Sequence, residues 1–275
     1  MQRELTQVSP PTVAYNRVGL TQFFSHRCIE QQYMQPRSWY DEQGIHVFLD
    51  DPVVEINHAS RRVRTQRSGW VHYDILVLAT GSSAPVPPGV PLEPTKGIFV
   101  YRTLKDLEDI IHWSQQSHVK HATVVGGGLL GLEAAKAGKD LGLDVTICER
   151  SNRLMSRQLD LEASTLLQAE ITKLGLAASI QDCPNELDWD KTHGWVKGAR
   201  MTSERYMETQ MLIYAIGIRA RDQLADTCRG LVKPVRGGGF AVNERMETSL
   251  SNVYAIGECA SFQDTTYGLV APGYE

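Results

Sequence analysis

The run GGGLLGLE, positions 126 to 133, constrains this chain more than any other stretch. Read as G-x-G-x-x-G it uses Gly126, Gly128 and Gly131. Glycines cluster in many turns, so the flanking residues decide what this one is. Before it, ATVV (Ala122 to Val125) is apolar and β-prone; after it, LLGLEAAKAGKDLG has helical spacing and ends near Gly142. DVTICER then reads as a second strand closed by an acid, Glu149. Strand, glycine turn, helix, strand and terminal acid form a βαβ unit of the length a dinucleotide fingerprint needs. Gly126 allows the tight turn, Gly128 lets backbone approach a pyrophosphate, and Gly131 lets the helix pack on its strand. The helix N-terminus offers unpaired N–H groups and a positive dipole end to the phosphates. Glu149 suits a ribose diol and repels a 2′-phosphate, which favours NAD over NADP; Arg150 beside it works the other way.

The chain's 275 residues are enough for two domains with their own cores. With 28 basic and 32 acidic residues the balance is mildly acidic, and neither nucleic acid nor an anionic membrane is expected as a partner. Apolar stretches such as MLIYAIGI are too short to span a bilayer, and the opening MQRELTQVSPP lacks an apolar signal core. The expectation is a soluble cytoplasmic protein. Cys28, Cys148, Cys183, Cys228 and Cys259 are scattered without a C-x-x-C pair. That spacing argues against a zinc site, a redox dithiol or an iron–sulfur cluster, and the expectation for most is burial as small hydrophobes. No metal site is expected.

Residues 19 to 43 read as helix in two pieces, LTQFFSH and RSWYDEQ, broken by Pro36. From Gly44 the pattern becomes β: IHVFLDDPVVEI, RRVRT, a turn at Ser68-Gly69, then WVHYDILVLATG, a meander feeding a buried strand. The proline-rich SSAPVPPGVPLEP resembles a linker between domains. RTLKDLEDIIHWSQQ is an amphipathic helix; LEASTLLQAEITKLG is another, followed by a strand, LAASI. MLIYAIGIRARD is a strand ending in a glycine turn, and RGGGFAVNERMETSLSNVYAIGECAS gives two short strands and a second such turn.

Two of these turns narrow the class. YDILVLATGS ends in Ala-Thr-Gly, and TSLSNVYAIGE ends in Gly-Glu. With GGGLLGLE…ER, in this order, they resemble the two-dinucleotide flavoproteins, which include pyridine-nucleotide oxidoreductases, NADH oxidases and rubredoxin reductases. AYNRVGL, GIFVYRTLKDLE, RQLD, AIGIRARDQL, YAIGECAS and GLVAPGYE are most similar to one branch, the flavin portion of the large assimilatory NAD(P)H nitrite reductase of fungi and bacteria. The resemblance implies an α/β fold in which a Rossmann-like NAD domain (101–222) is inserted in a split FAD domain (1–100 and 223–275). It implies FAD and NAD(P)H as cofactors. Gly257 and Glu258 match a Gly-Asp turn that binds the FAD ribitol and pyrophosphate, the acid one methylene longer. Thr80 and Gly81 match a turn closing over the flavin nucleotide, and Arg17 matches an arginine near FAD. Glu133 matches a carboxylate near the flavin–nicotinamide contact, with Gln22 where several relatives carry a pairing lysine. Arg219 lies in a G-x-R-P motif in which Ala220 replaces the proline.

The resemblance further implies a portion cut at both ends. No glycine precedes Gly19, so the family's first strand and glycine turn have no counterpart before Val13, and the chain stops before the family's interface and sirohaem parts. An incomplete FAD domain is expected to hold flavin weakly unless another chain supplies the strand. The residues leave three readings: an oxidoreductase passing hydride from NAD(P)H to flavin and electrons to a separate acceptor protein or chain, a non-catalytic nucleotide-binding remnant or regulatory module, and a tailoring oxidoreductase on a small organic substrate.

Overall fold

Short runs such as IFV and MLIY are too apolar to face water on either side, and each becomes a strand covered on both faces. In the computed structural model, which describes residues 6–8, 12–17 and 19–266, the chain divides into two units. One holds the described residues before 19, Ile29–Ser83 and the described residues from Ile218; the other holds Gly19–Cys28 and Ala84–Gly217. The GLVAPGYE run and most of MQRELTQVSPP lie outside the described residues.

The second unit is built on a five-stranded sheet in the order Ala177–Ile180, Asp144–Glu149, His121–Val125, Met211–Tyr214, Ile98–Val100, parallel at every pairing. Ile98–Val100 and Met211–Tyr214 are buried at every position, as a parallel strand covered on both sides must be. The helix Leu104–Ser114 lays Leu104, Leu107, Ile110 and Trp113 against the core, at the three-residue spacing of one helix face. It starts in a capping box: the Thr103 hydroxyl accepts from the Asp106 N–H, and the Asp106 carboxylate accepts from the Thr103 N–H at 2.7 Å. The helix Leu129–Asp140 packs on His121–Val125 and Asp144–Glu149 through Gly131, Ala134, Ala135, Ala137 and Gly138. Leu161–Lys173 begins on an Asp160 cap and leads into Ala177–Ile180. An antiparallel meander, Pro184–Trp189, Val196–Met201 and Tyr206–Glu208, completes the unit. None of its strands was read from the sequence.

The first unit is assembled from short sheets. Val53–Asn57, Arg62–Thr65 and Trp70–His72 form the expected antiparallel meander. Leu76–Leu78 pairs in parallel with Val253–Ala255, and Phe240–Val242 with Ala260–Phe262. Thr6–Val8 pairs in parallel with Val47–Leu49, which corrects the expectation that no strand stands before Val13; the glycine of the expected turn is still lacking there, the first glycine being Gly19. One core joins Ile56, Val63, Tyr73 and Leu78 to Cys228, Phe240, Val253, Ala255 and Cys259. The unit is therefore closed by contacts between the two ends of its sequence. Where the chain leaves it and returns, Ser82–Ser83 and Arg219–Ala220 pair antiparallel.

The residues 19–43 are helical in shorter pieces than their pattern implies. Leu20–Gln22 is a 3₁₀ turn, Phe23–His26 one helical turn stopped by Arg27 in the left-handed region (φ 55°), and Arg37–Glu42 follows Pro36. Cys148, Cys228 and Cys259 are buried and Cys28 and Cys183 partly so; none of the five is in a disulfide. Burial pushes the Cys148 thiol up to about 12 and that of Cys183 up to about 11, which leaves both unreactive near neutrality. Among the described residues no helix is long and apolar enough to cross a membrane. The capping box makes a direct test: Thr103→Ala is expected to lower stability to urea denaturation by about 1 kcal/mol, and Thr103→Ser to recover most of it.

Candidate dinucleotide-binding sites

At the end of His121–Val125 the chain turns through Gly126, at φ +117°, a value L side chains rarely adopt. A methyl group there would lie 2.4 Å from the Ala215 carbonyl oxygen. A methyl at Gly131 would lie 1.8 Å from the Gly126 carbonyl oxygen. The helix thus rests on the backbone of its own turn. Gly128 is different: it is the N-cap, no side chain caps the helix, and a methyl on it would meet no atom within 4 Å. No acid stands in the first turn. The helix N-terminus therefore presents its N–H groups and positive dipole end to open space. Beside it, the turn after Met211–Tyr214 ends in Gly217 at φ +114°, also with nothing within 4 Å. Both turns sit at the carboxyl ends of neighbouring parallel strands, the edge where open α/β sheets bind ligands.

Glu149 ends the adjacent strand, and both of its oxygens are held. One accepts from the Gly127 N–H at 2.6 Å and the other from the Ser151 N–H at 2.7 Å. Each oxygen keeps a lone pair for a ribose hydroxyl. Gly127 has its own reason to be glycine: a β carbon would lie 2.6 Å from Leu154 Cδ2 and 3.0 Å from the Glu149 carboxylate. The fingerprint treats that position as free, so sequence reasoning passed over it. Arg150 is exposed and makes no ion pair among the described residues.

In the first unit Arg17, Gly81 and Glu258 come together. Glu258 is buried, and one of its oxygens accepts from the Ser82 hydroxyl at 3.0 Å and faces the Arg17 guanidinium at 3.6 Å. A β carbon on Gly81 would sit 3.8 Å from that guanidinium. Gly257, at φ +71°, has no atom within 4 Å of where a side chain would start. The Thr80 hydroxyl donates to the Arg221 carbonyl at 2.5 Å, and the Arg221 N–H donates to the Gly81 carbonyl, which ties this turn to the returning chain. Arg219 belongs to the two-residue strand beside Ser82–Ser83, its side chain exposed and its carbonyl accepting from Ser83. Ala220 packs its methyl 3.6 Å from the space over Gly239.

Glu133 lies one turn into the Leu129–Asp140 helix, half-buried, and accepts from the Thr21 hydroxyl at 3.3 Å. Burial pushes its carboxyl above the usual range, and the Thr21 bond opposes that. Ser82, Ser151 and Thr21 carried no signal in the sequence, since a hydroxyl far along the chain announces nothing about its partner.

The family model described as pyridine nucleotide-disulphide oxidoreductase matches residues 2–273. The NAD(P)H nitrite reductase of Emericella nidulans is 38% identical over 270 residues, covering 96% of this chain and 24% of that protein. The NADH nitrite reductase large subunit of Escherichia coli is 36% identical over 265 residues, covering 96% of this chain and 31% of the subunit. The chain thus spans about a quarter to a third of the length of these relatives. The crystal structure of the covalent putidaredoxin reductase–putidaredoxin complex is similar in fold, with a TM-score of 0.86 at 22% identity over 96% of this chain and 64% of that one. The α/β architecture expected from the motifs, that of the two-dinucleotide flavoproteins, is the one observed. By its match along nearly its whole length, the chain belongs to the pyridine nucleotide-disulphide oxidoreductase family.

Proposed function

We propose that this chain is the NAD(P)H-oxidising flavin module of a nitrite-reductase-like system, with electrons passing to a separate acceptor protein or chain. The observation that carries the reading is the uncapped helix N-terminus at Gly128, open in front and flanked by a carboxylate that Gly127 and Ser151 hold in place. Backbone N–H groups and dipole there suit a diphosphate, and Glu149 suits the adenosine ribose diol. The residues of the first unit fit a second dinucleotide: Gly257 has no atom within 4 Å of where a side chain would start, and Gly81 leaves room beside the Arg17 guanidinium, which faces the Glu258 carboxylate. When bound, the nicotinamide and the flavin supply hydride transfer and electron release.

The chain's own groups bind and orient. The Leu129 and Leu130 N–H groups would hold the diphosphate and Glu149 the adenosine end, with exposed Arg150 next to it in sequence. Arg17 balances the Glu258 carboxylate, so that a buried negative charge does not repel the second diphosphate. Thr80 and Gly81 hold their turn through Arg221. We assign Glu133 as the carboxyl that holds or moves a proton in the unit that takes NAD(P)H. FAD is assigned to the unit containing Arg17 and Glu258, and NAD(P)H to the unit containing Gly126–Glu149.

NADH is expected to raise the melting temperature; at a hundredfold excess over Kd mass action contributes about 2.7 kcal/mol. Gly128→Leu is expected to remove that response with the fold intact, because the new side chain fills the open space before the helix. Gly131→Ala, by contrast, is expected to destabilise by about 1 to 3 kcal/mol even without nucleotide. A parent protein indifferent to NADH, or a Gly128→Leu variant that responds as the parent does, would sink the nucleotide assignment. For the second site, FAD titration followed by flavin absorbance is expected to show binding that Arg17→Gln weakens roughly tenfold or more. NADH-dependent ferricyanide reduction by the FAD-loaded protein then separates an oxidoreductase from a module that only binds; no turnover defeats the enzymatic reading.

A further inference from the structure

A carboxylate drawn out of water is ordinarily steadied by a cation, and Glu133 has none among the described residues. Among the described residues it makes no ion pair; Gln22, exposed, stands close by in sequence to its only hydrogen-bond donor, Thr21. Lys136, one turn along the same helix, is already bonded to Asp140 through both carboxylate oxygens. What faces Glu133 is a pair of hydroxyls. Thr21 Oγ1 lies 3.0 Å from the Tyr101 phenol and 3.3 Å from Glu133 Oε2. Threonine has one hydroxyl proton, so when Thr21 donates to the carboxylate, the bond to Tyr101 must run from phenol to threonine. The direction of the chain follows: Tyr101 to Thr21 to Glu133.

Both hydroxyls are held from behind. Tyr101 is 3% exposed, and its ring stacks parallel to Phe24 with centroids 6.1 Å apart. Burial pushes its phenol up to about 12, so it remains a neutral donor at any physiological pH. Thr21 is fixed by the 3₁₀ turn Leu20–Gln22, anchored through buried Leu20. Its outer side lines a cleft of about 460 Å³ with Gln22, Phe24, Lys136, Ala137 and Asp140, which gives solvent protons a way to the hydroxyl.

We propose that Thr21, oriented by Tyr101, is the positioning residue of Glu133: two hydroxyl donors in series take the place of a basic side chain in aiming the carboxyl and stabilising its charged form. Neutral donors stabilise a carboxylate less than a cation does, so the group can give up or take a proton without stranding a buried positive charge. The charged or titratable groups around it are Lys136, Lys139 and Asp140 on its own helix, His121, Asp144, Cys148 and Glu149 on the two strands that helix packs against, His26, Arg27 and Cys28 on the 19–28 segment, and Tyr101 and Arg102. None of them pairs with Glu133 among the described residues. The bearing on catalysis rests on the role given to Glu133 above; the hydroxyl chain does not.

The test is a carbon-13 titration of the Glu133 carboxyl in the whole chain, its resonance identified by its loss in Glu133→Gln. Thr21→Val removes the donor at nearly constant volume, and the midpoint is expected to move up because burial then acts unopposed. Thr21→Ser is expected to bring it back. Tyr101→Phe is expected to move it in the same direction by less, having removed a donor one step away. A Thr21→Val midpoint equal to the parent's, or one that serine does not restore, overturns the proposal. The NADH melting shift, measured on the same samples, fails independently: its absence with the titration as expected refutes the nucleotide assignment and leaves the hydroxyl chain standing.

Discussion

Backbone lying directly on backbone is the constraint from which the second unit's geometry follows. Gly131 sits over the Gly126 carbonyl, and Gly126 over that of Ala215, at separations no β carbon permits. A helix held this close can meet its sheet only through small side chains, and Ala134, Ala135, Ala137 and Gly138 fill that face. The same approach sets the helix N-terminus at the carboxyl edge of the sheet. There Gly127 can reach Glu149, so the position of the acid and the position of the dipole have one cause.

The first unit is organised around a charge instead. A buried carboxylate costs several kcal/mol unless it is paired and hydrogen-bonded. Glu258 meets that demand by drawing in Arg17 and Ser82, the latter 176 residues away in sequence. Three distant stretches are brought to one point, where Gly257 has no atom within 4 Å of where a side chain would start.

How much of this can be read from the residues depends on whether the signal is local. The βαβ unit is legible because a short apolar β-prone run gives way across a glycine turn to helical spacing and then to a second such run. Leu104–Ser114 is legible through its amphipathic spacing. The meander from Pro184 to Glu208 is not: PNELDW, VKGARM and YME carry too few apolar residues to mark strands, and the pairing of each with its neighbours makes them so. At the sites, the glycines and Glu149 stand in a fingerprint, whereas Thr21 and Glu133 are 112 residues apart and Thr21 and Tyr101 are 80 apart. Contacts of that kind are consequences of topology. Gly127 was hidden for another reason, since the constraint on it comes from a side chain, Glu149, that reaches back from the next strand.

The division of the first unit's core between Ile56–Leu78 and Cys228–Ala260 sets an order of events during synthesis. Leu76–Leu78 leaves the ribosome long before Val253–Ala255, its only strand partner among the described residues, exists. The intervening stretch, Ala84–Gly217, carries all five strands of its own parallel sheet and can begin to collapse first. The earlier meander meanwhile waits with Ile56 and Val63 uncovered. Chaperone occupancy and proteolytic sensitivity should concentrate in that interval, so the fragment made first is the one that matures last.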